Sequence, residues 1–150
     1  MRHTFFLITA IMILAGCGAG SESRQETITL EASIQELLAE PFEFDRKNVR
    51  IEGVISHVCR HSGDKMRVLQ DGSDLSIQVM LGDFTGRFGT ESEGLRVILT
   101  GTLLAELTNI DDLGDDHGCE DDRQAVEALK ARGLNPDIRT WLSLSHFETE

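Results

Sequence analysis

Two long segments alternate apolar and polar residues, and a glycine interrupts each of them. The first segment runs from Asn48 to Cys59 and the second from Leu95 to Leu107. Alternation with a period of two is typical of a strand with one buried face, and an internal glycine marks a bulge or a tight bend. Two bent strands in one chain favour a sheet that coils on itself as a small barrel.

The alternation assigns side chains of the first segment to two faces. One face consists of Val49, Ile51, Gly53, Ile55, His57 and Cys59. The opposite face carries Arg50 and Glu52, so the first face is predicted to be the interior of the barrel. The strand is therefore expected to deliver Cys59 to a rim of the barrel, pointing inward.

Three further strands and two helices complete the predicted fold. The strands are expected at 65–70, 75–81 and 137–147, and the helices at 33–40 and 121–132. Ser33 and Glu36 form a capping box at the start of the first helix, and Gly133 is the expected C-terminal cap of the second. Phe84 and Phe88 are expected to fill the barrel. The fold class is thus mainly β: a five-stranded barrel with a short N-terminal helix and one helix before the last strand.

The N-terminal residues have the order of a bacterial export signal. Arg2 and His3 precede an apolar run at 5–15, which is shorter than the roughly 20 residues that span a bilayer. The next residues, Leu14 to Cys17, resemble the lipobox of bacterial lipoproteins. That resemblance implies a signal peptide at 1–16 and a lipid on Cys17.

The lipobox resemblance also sets the expected organisation and location. The lipidated cysteine and a flexible polar tether occupy 17–30, and the barrel domain occupies 31–150. The chain is expected in the cell envelope, attached to the membrane by its lipid. Because Gly18 follows the cysteine, the family's sorting rule implies the outer membrane, facing the periplasm, in a Gram-negative host.

The order of helix, "VRIEGVI" strand, hairpin and "VILTGTL" strand resembles the OB-fold, in particular its exported tRNA-anti-like branch. The stretch "HVCRHSG", His57 to Gly63, is similar to a His-Val-Cys-x-His-x-Gly signature in uncharacterised exported bacterial OB-fold proteins. These resemblances imply a fold and no established activity. An OB barrel usually carries its helix between strands three and four, where this chain has a glycine-rich segment.

Cysteine and histidine cluster in two places of the chain. The candidate metal ligands are His57, Cys59, His61, His117 and Cys119. Cys and His bind transition metals such as zinc or copper. A straight strand would separate His57 from His61 by about 13 Å, so a shared ion requires the chain to curl from Cys59 onward. A disulfide between Cys59 and Cys119 is one alternative, because exported proteins form disulfides. The other alternative is that the histidines are exposed polar residues at a strand end, with neither a metal nor a disulfide.

The sequence favours a binding module over an enzyme, since Gly-x-Ser-x-Gly, His-Glu-x-x-His and Cys-x-x-Cys motifs are absent from it. The net charge of −12 predicts no nucleic-acid partner, because phosphate backbones are bound by basic patches. The first expectation is a lipid-anchored envelope module that holds a transition metal. The alternative is a structural or interaction lipoprotein that binds an envelope protein and is braced by the disulfide.

Overall fold

The computed structural model describes residues 28–108 and 120–149, apart from the side chains of Glu120 and Asp121. Its elements are β1 (Thr29–Glu31), α1 (Ile34–Ala39), α2 (Pro41–Phe44), β2 (Asn48–Val58), β3 (Lys65–Leu69), β4 (Ser76–Met80), β5 (Arg96–Leu107), α3 (Glu120–Ala131) and β6 (Ile138–Thr149). Within these ranges, none of the helices has the length and apolar character needed to cross a membrane. Cys17, His117 and Cys119 lie outside the described residues.

The central strand of the sheet is β2, which pairs with both β3 and β5. The order β2-β3-β4-β6-β5 returns to β2, so five strands form a closed ring. The β4–β6 pair is parallel, whereas the other four pairs of the ring are antiparallel. The apolar side chains of these strands form one core inside the ring. The predicted mainly β, OB-like five-stranded fold is confirmed.

The two strand glycines lie where neighbouring backbones approach too closely for a side chain. A Cβ at Gly53 would lie 2.6 Å from the carbonyl oxygen of Leu69. A Cβ at Gly101 would collide with the carbonyl oxygen of Ser143. Such close approaches permit the tight coiling that a five-stranded ring requires.

One end of the ring is closed by α1. The Ser33 hydroxyl accepts the N–H of Glu36 at 3.2 Å, and the Glu36 carboxylate accepts the N–H of Ser33 at 2.8 Å, so the predicted capping box is present. Ile34 and Leu37 are fully buried in the core. The N–H of Gln35 donates to the Gln70 side chain, which places α1 at the β3–β4 turn. The N-terminal helix therefore plugs the ring, and the interval between β4 and β5 contains two short 3-10 turns instead.

Strand β1 is absent from the fold that the sequence predicts. Residues Thr29 to Glu31 pair in parallel with Asn48 to Arg50 of β2. Residues 29 and 30, which the sequence analysis assigns to the tether, thus belong to the sheet.

Three phenylalanines fill the opposite end of the ring. Phe88 is buried in the core, Phe84 packs against it, and both rings meet Phe147 edge to face, with centroids 4.9 and 5.3 Å away. The prediction that Phe84 and Phe88 fill the barrel is confirmed. The N–H of Gly86 donates to the carbonyl of Gly63 at 3.2 Å, so the turn that follows β2 lies at this same end.

The C-terminal cap of α3 has the predicted geometry. Gly133 adopts a positive φ of 69°, which favours glycine. Its N–H donates to the carbonyl of Lys130 and that of Leu134 donates to Leu129, both at 3.0 Å. These two bonds form a Schellman motif, which ends α3 and directs the chain into β6.

Candidate functional site

A β-bulge interrupts β2 at Ser56. Ile55 pairs with Val68 of β3, but His57 pairs with Arg67, so Ser56 is the extra residue. One extra residue exchanges the two faces of a strand. Val58 is accordingly buried and His57 is only half-buried. The prediction that His57 continues the inner face is therefore wrong, because the bulge turns this side chain outward.

Glu93, which lies in the segment between β4 and β5, contacts the bulge of β2 through its carboxylate. Its Oε1 atom accepts the N–H of Val58 at 3.1 Å, and His57 Nδ1 lies 3.5 Å from the same oxygen. The carboxylate thus satisfies a backbone donor at the bulge and engages one nitrogen of the imidazole.

Cys59 is buried directly after the end of β2, where the chain begins to curl. A metal ion shared by His57 and His61 would require such a curl. The N–H of Gly63 donates to the carbonyl of Cys59 at 2.9 Å and closes the turn. The Ser62 hydroxyl lies 3.4 Å from the thiol sulfur. Hydrogen bonds from the Ser62 side chain and backbone hold the pKa of the Cys59 thiol below its usual value, and the charge of Lys65 acts in the same direction.

A small cavity joins the end of β2 to the start of α3. Its lining consists of His57, Cys59, Lys65, Met66, Arg67, Gln78 and Asp122, and its volume is about 20 Å³. Asp122, in the first turn of α3, forms an ion pair with Arg67 of β3. The described start of α3 therefore lies at the same end of the barrel as Cys59.

The predicted metal ligands are only partly within the described residues. Among the residues at 28–108 and 122–149, no three His, Cys, Asp or Glu side chains are arranged to hold a metal ion. His61 is exposed and does not line the small cavity. Because His117 and Cys119 fall outside the described ranges, both the five-residue metal site and the disulfide stay predictions.

A row of polar and aromatic side chains crosses the outer surface of the barrel. Strand register places His57, Arg67, Gln78 and Trp141 side by side on four neighbouring strands. The guanidinium of Arg139 stacks over the Trp141 ring at 5.5 Å. This row is not predictable from the sequence alone, since its members share a surface only through strand register.

The helix α3 crosses the same outer surface and leaves a groove beneath it. Asp122 pairs with Arg67 at one end of the helix, and Arg132 pairs with Asp74 of the β3–β4 turn at the other, at 2.6 Å. The helix side of the groove includes Ala125, Ala128 and Ala131. The space between helix and strands is about 1030 Å³.

No protein-family model and no curated protein matches the chain. Solved structures that are similar include an aspartyl-tRNA synthetase from Entamoeba histolytica, with 12% identity and a TM-score of 0.47 over 99% of this chain and 28% of that one. An asparaginyl-tRNA synthetase from the same organism has 12% identity and a TM-score of 0.46 over 81% of this chain and 24% of that one. The chain thus spans less than a third of the length of these solved proteins.

The expectation of no nucleic-acid partner conflicts with the comparison, since the similar solved structures are synthetases named for tRNA, and it is withdrawn. A likeness at 12% identity shows the fold alone and assigns no partner to this chain. That prediction used the net charge of the whole chain. Net charge averages over the entire surface, whereas recognition depends on local patches of charge and aromatic rings. The row of side chains on the outer surface is one place where the local composition departs from that average. It contains Arg67 and Trp141, and Arg139 stacks on the Trp141 ring.

Proposed function

We propose that this protein is a lipid-anchored binding module of the cell envelope that holds a transition metal at the end of β2. Cys17 carries the lipid, which attaches the barrel to the membrane, and to the periplasmic face of the outer membrane in a Gram-negative host. The observation that supports the metal site is the small cavity that His57 and Cys59 share with the start of α3.

The position of the cavity allows the two Cys/His clusters of the sequence to meet at one place. Asp122 lines the cavity beside Cys59, and Cys119 precedes Asp122 by three residues. Consecutive Cα atoms are about 3.8 Å apart, so at most about 11 Å of chain separates Cys119 from Asp122. His117 follows the same connection two residues farther back. In the proposal these two residues join His57, Cys59 and His61 around one ion.

The described residues have the chemistry that such an ion requires. Metals bind the thiolate, and the hydrogen bonds from Ser62 favour that form of Cys59 by lowering its pKa. Metal-binding histidines commonly place their second ring nitrogen beside a carboxylate. His57 Nδ1 lies beside the Glu93 carboxylate in this way. In the proposal His57 Nε2 faces the metal, and cysteine thiolates and histidine imidazoles are ligand types that zinc and copper bind.

A disulfide between Cys59 and Cys119 is the second candidate, and the same closeness of α3 to Cys59 favours it. The bond would fix the start of α3 on the barrel. By the chain-entropy relation it would stabilise the fold by about 4 kcal/mol. The protein would then act as a structural or interaction lipoprotein with an envelope protein as its partner.

Metal analysis combined with a thiol count separates the two candidates. The full-length protein is purified from membranes without an affinity tag, and metal is quantified before free thiols are alkylated under denaturing conditions. Bound metal with two free thiols supports the metal site, whereas neither metal nor thiols supports the disulfide. Two free thiols without metal contradict both. A Cys59→Ser variant is the matched control and should lose the metal or release one thiol at Cys119.

A further inference from the structure

We infer that Arg67 binds an oxyanion of a ligand, a carboxylate or a phosphate, and that α3 is a displaceable cover whose Asp122 occupies the place of that oxyanion. The inference concerns the outer surface of the barrel. It goes beyond the proposed metal site and does not depend on a metal being bound.

Arg67 occupies the centre of the outer surface. It lines both the small cavity and the groove, and its side chain is 14% exposed. Nη2 pairs with Asp122, and Nη1 lies 3.4 Å from the hydroxyl of Ser76. A guanidinium presents a planar fork of donors that matches carboxylate and phosphate groups equally well. A ligand oxyanion could therefore replace the Asp122 carboxylate with the same geometry.

The first half of α3 is weakly attached to the barrel. No side chain from 122 to 131 is buried, and the helix contributes alanines to the groove. Among the described residues, Leu129 and Leu134 are the apolar contacts of this segment with the core, and both lie at its C-terminal end. The ion pair between Asp122 and Arg67 links the first turn of α3 to the barrel, and the Asp122 side chain is 41% exposed, so solvent competes for its carboxylate. The helix can thus pivot about its C-terminal end.

Space and charge beneath α3 suit an anionic ligand. The groove of about 1030 Å³ is at the upper end of the range for small-molecule sites. The charged side chains that line the groove and the small cavity are Lys65, Arg67, Arg132, Asp74, Asp122 and Glu127. Cations and carboxylates are therefore equal in number here, while the whole chain has 14 basic and 26 acidic residues. When Asp122 moves away with α3, the cations outnumber the carboxylates in this lining, and the local charge around Arg67 becomes positive.

The test measures anion binding to the full-length protein in detergent. The fluorescence of Trp141, the single tryptophan of the chain, is followed during titration with pyrophosphate or citrate at constant ionic strength. Amide hydrogen exchange of α3 is measured in parallel. The variants are Asp122→Asn, which frees Arg67, Arg67→Gln and Arg67→Lys, which remove the fork, and Arg50→Gln as the control. Arg50 is another arginine on the outer surface that pairs with carboxylates.

Saturable binding to the wild-type protein should be about two- to fivefold tighter in Asp122→Asn, with faster exchange in α3, because the competing carboxylate is gone. Arg67→Gln and Arg67→Lys should each weaken binding at least tenfold, and Arg50→Gln should not change it. A response to pyrophosphate alone identifies a phosphate ligand, and one to citrate alone a carboxylate ligand.

Equal binding by wild type and both Arg67 variants overturns the inference, as does unchanged affinity and exchange in Asp122→Asn. If circular dichroism shows that Arg67→Gln is unfolded, the binding measurements on Arg67→Lys and Asp122→Asn decide the outcome. Metal content and thiols are measured on the same samples. A failure of the proposed metal site is therefore distinguished from a failure of anion binding.

Discussion

The carboxylate of Glu93 accepts the backbone N–H of Val58 at 3.1 Å, across a sequence separation of 35 residues. This bond holds the bulge of β2 in the register that faces Val58 inward and His57 outward. A connection between β4 and β5 therefore determines which face of β2 presents the histidine.

Replacing Glu93 by alanine should lower the free energy of unfolding by about 1–3 kcal/mol, because a partly buried N–H loses a charged acceptor. Glu93→Gln keeps an acceptor of the same length and should cost less. Urea denaturation measures both changes. Glu91→Ala, which removes an exposed carboxylate nearby, is the control. An equal, small effect of all three variants would contradict the role assigned to Glu93.

Gly53→Ala should destabilise the barrel by about 1–3 kcal/mol, since the new methyl group meets the backbone of Leu69 and the side chain of Val68. Gly89→Ala is the matched comparison, because the three nearest atoms that a Cβ there would meet belong to the flexible carboxylate end of Glu91. Thermal unfolding should show a much larger loss for Gly53→Ala. Similar melting temperatures for the two variants would refute the close approach between β2 and β3.

Ser62→Ala should raise the pKa of the Cys59 thiol, because the hydroxyl that favours the thiolate is removed. The alkylation rate of Cys59 by iodoacetamide, followed against pH in a metal-free Cys119→Ser background, reports this pKa. The midpoint of the rate profile should move to higher pH. Thr at the same position preserves the hydroxyl and should restore the original midpoint, and a profile that Ser62→Ala leaves in place would exclude Ser62 as the cause.

Cys17→Ser should release the protein from membranes or block its processing, since the resemblance to a lipobox places the lipid on this sulfur. Fractionation and the mass of the purified protein provide the measurement. Cys59→Ser serves as the control and should stay attached. Membrane attachment and processing that survive Cys17→Ser would remove the anchor from the proposed function.

The sequence is sufficient for those features that local chemistry determines. Alternation around Gly53 and Gly101 indicates a coiled ring of strands, the Ser33–Glu36 pair indicates the start of α1, and Gly133 indicates the end of α3. Each of these signals acts within a few residues or along one strand.

Other features depend on contacts between distant segments. The bulge at Ser56 arises from the register between β2 and β3 and from the carboxylate of Glu93, and the alternation of the flanking residues continues as if it were absent. The groove depends on how α3 lies over Arg67 and Asp74. The alanines of α3 give no local sign that they face an open space and not a packed surface.

The parallel pairing of β6 with β4 has a consequence for the order in which the barrel forms. β6 is the last strand of the sequence, and it joins two strands, β4 and β5, that would otherwise both be open edges. A chain that emerges N-terminus first cannot complete its ring until residues 138–149 have followed. Contacts between distant segments make closure slow, so the nascent barrel should expose both edges for a measurable time and depend on protection from aggregation during that interval.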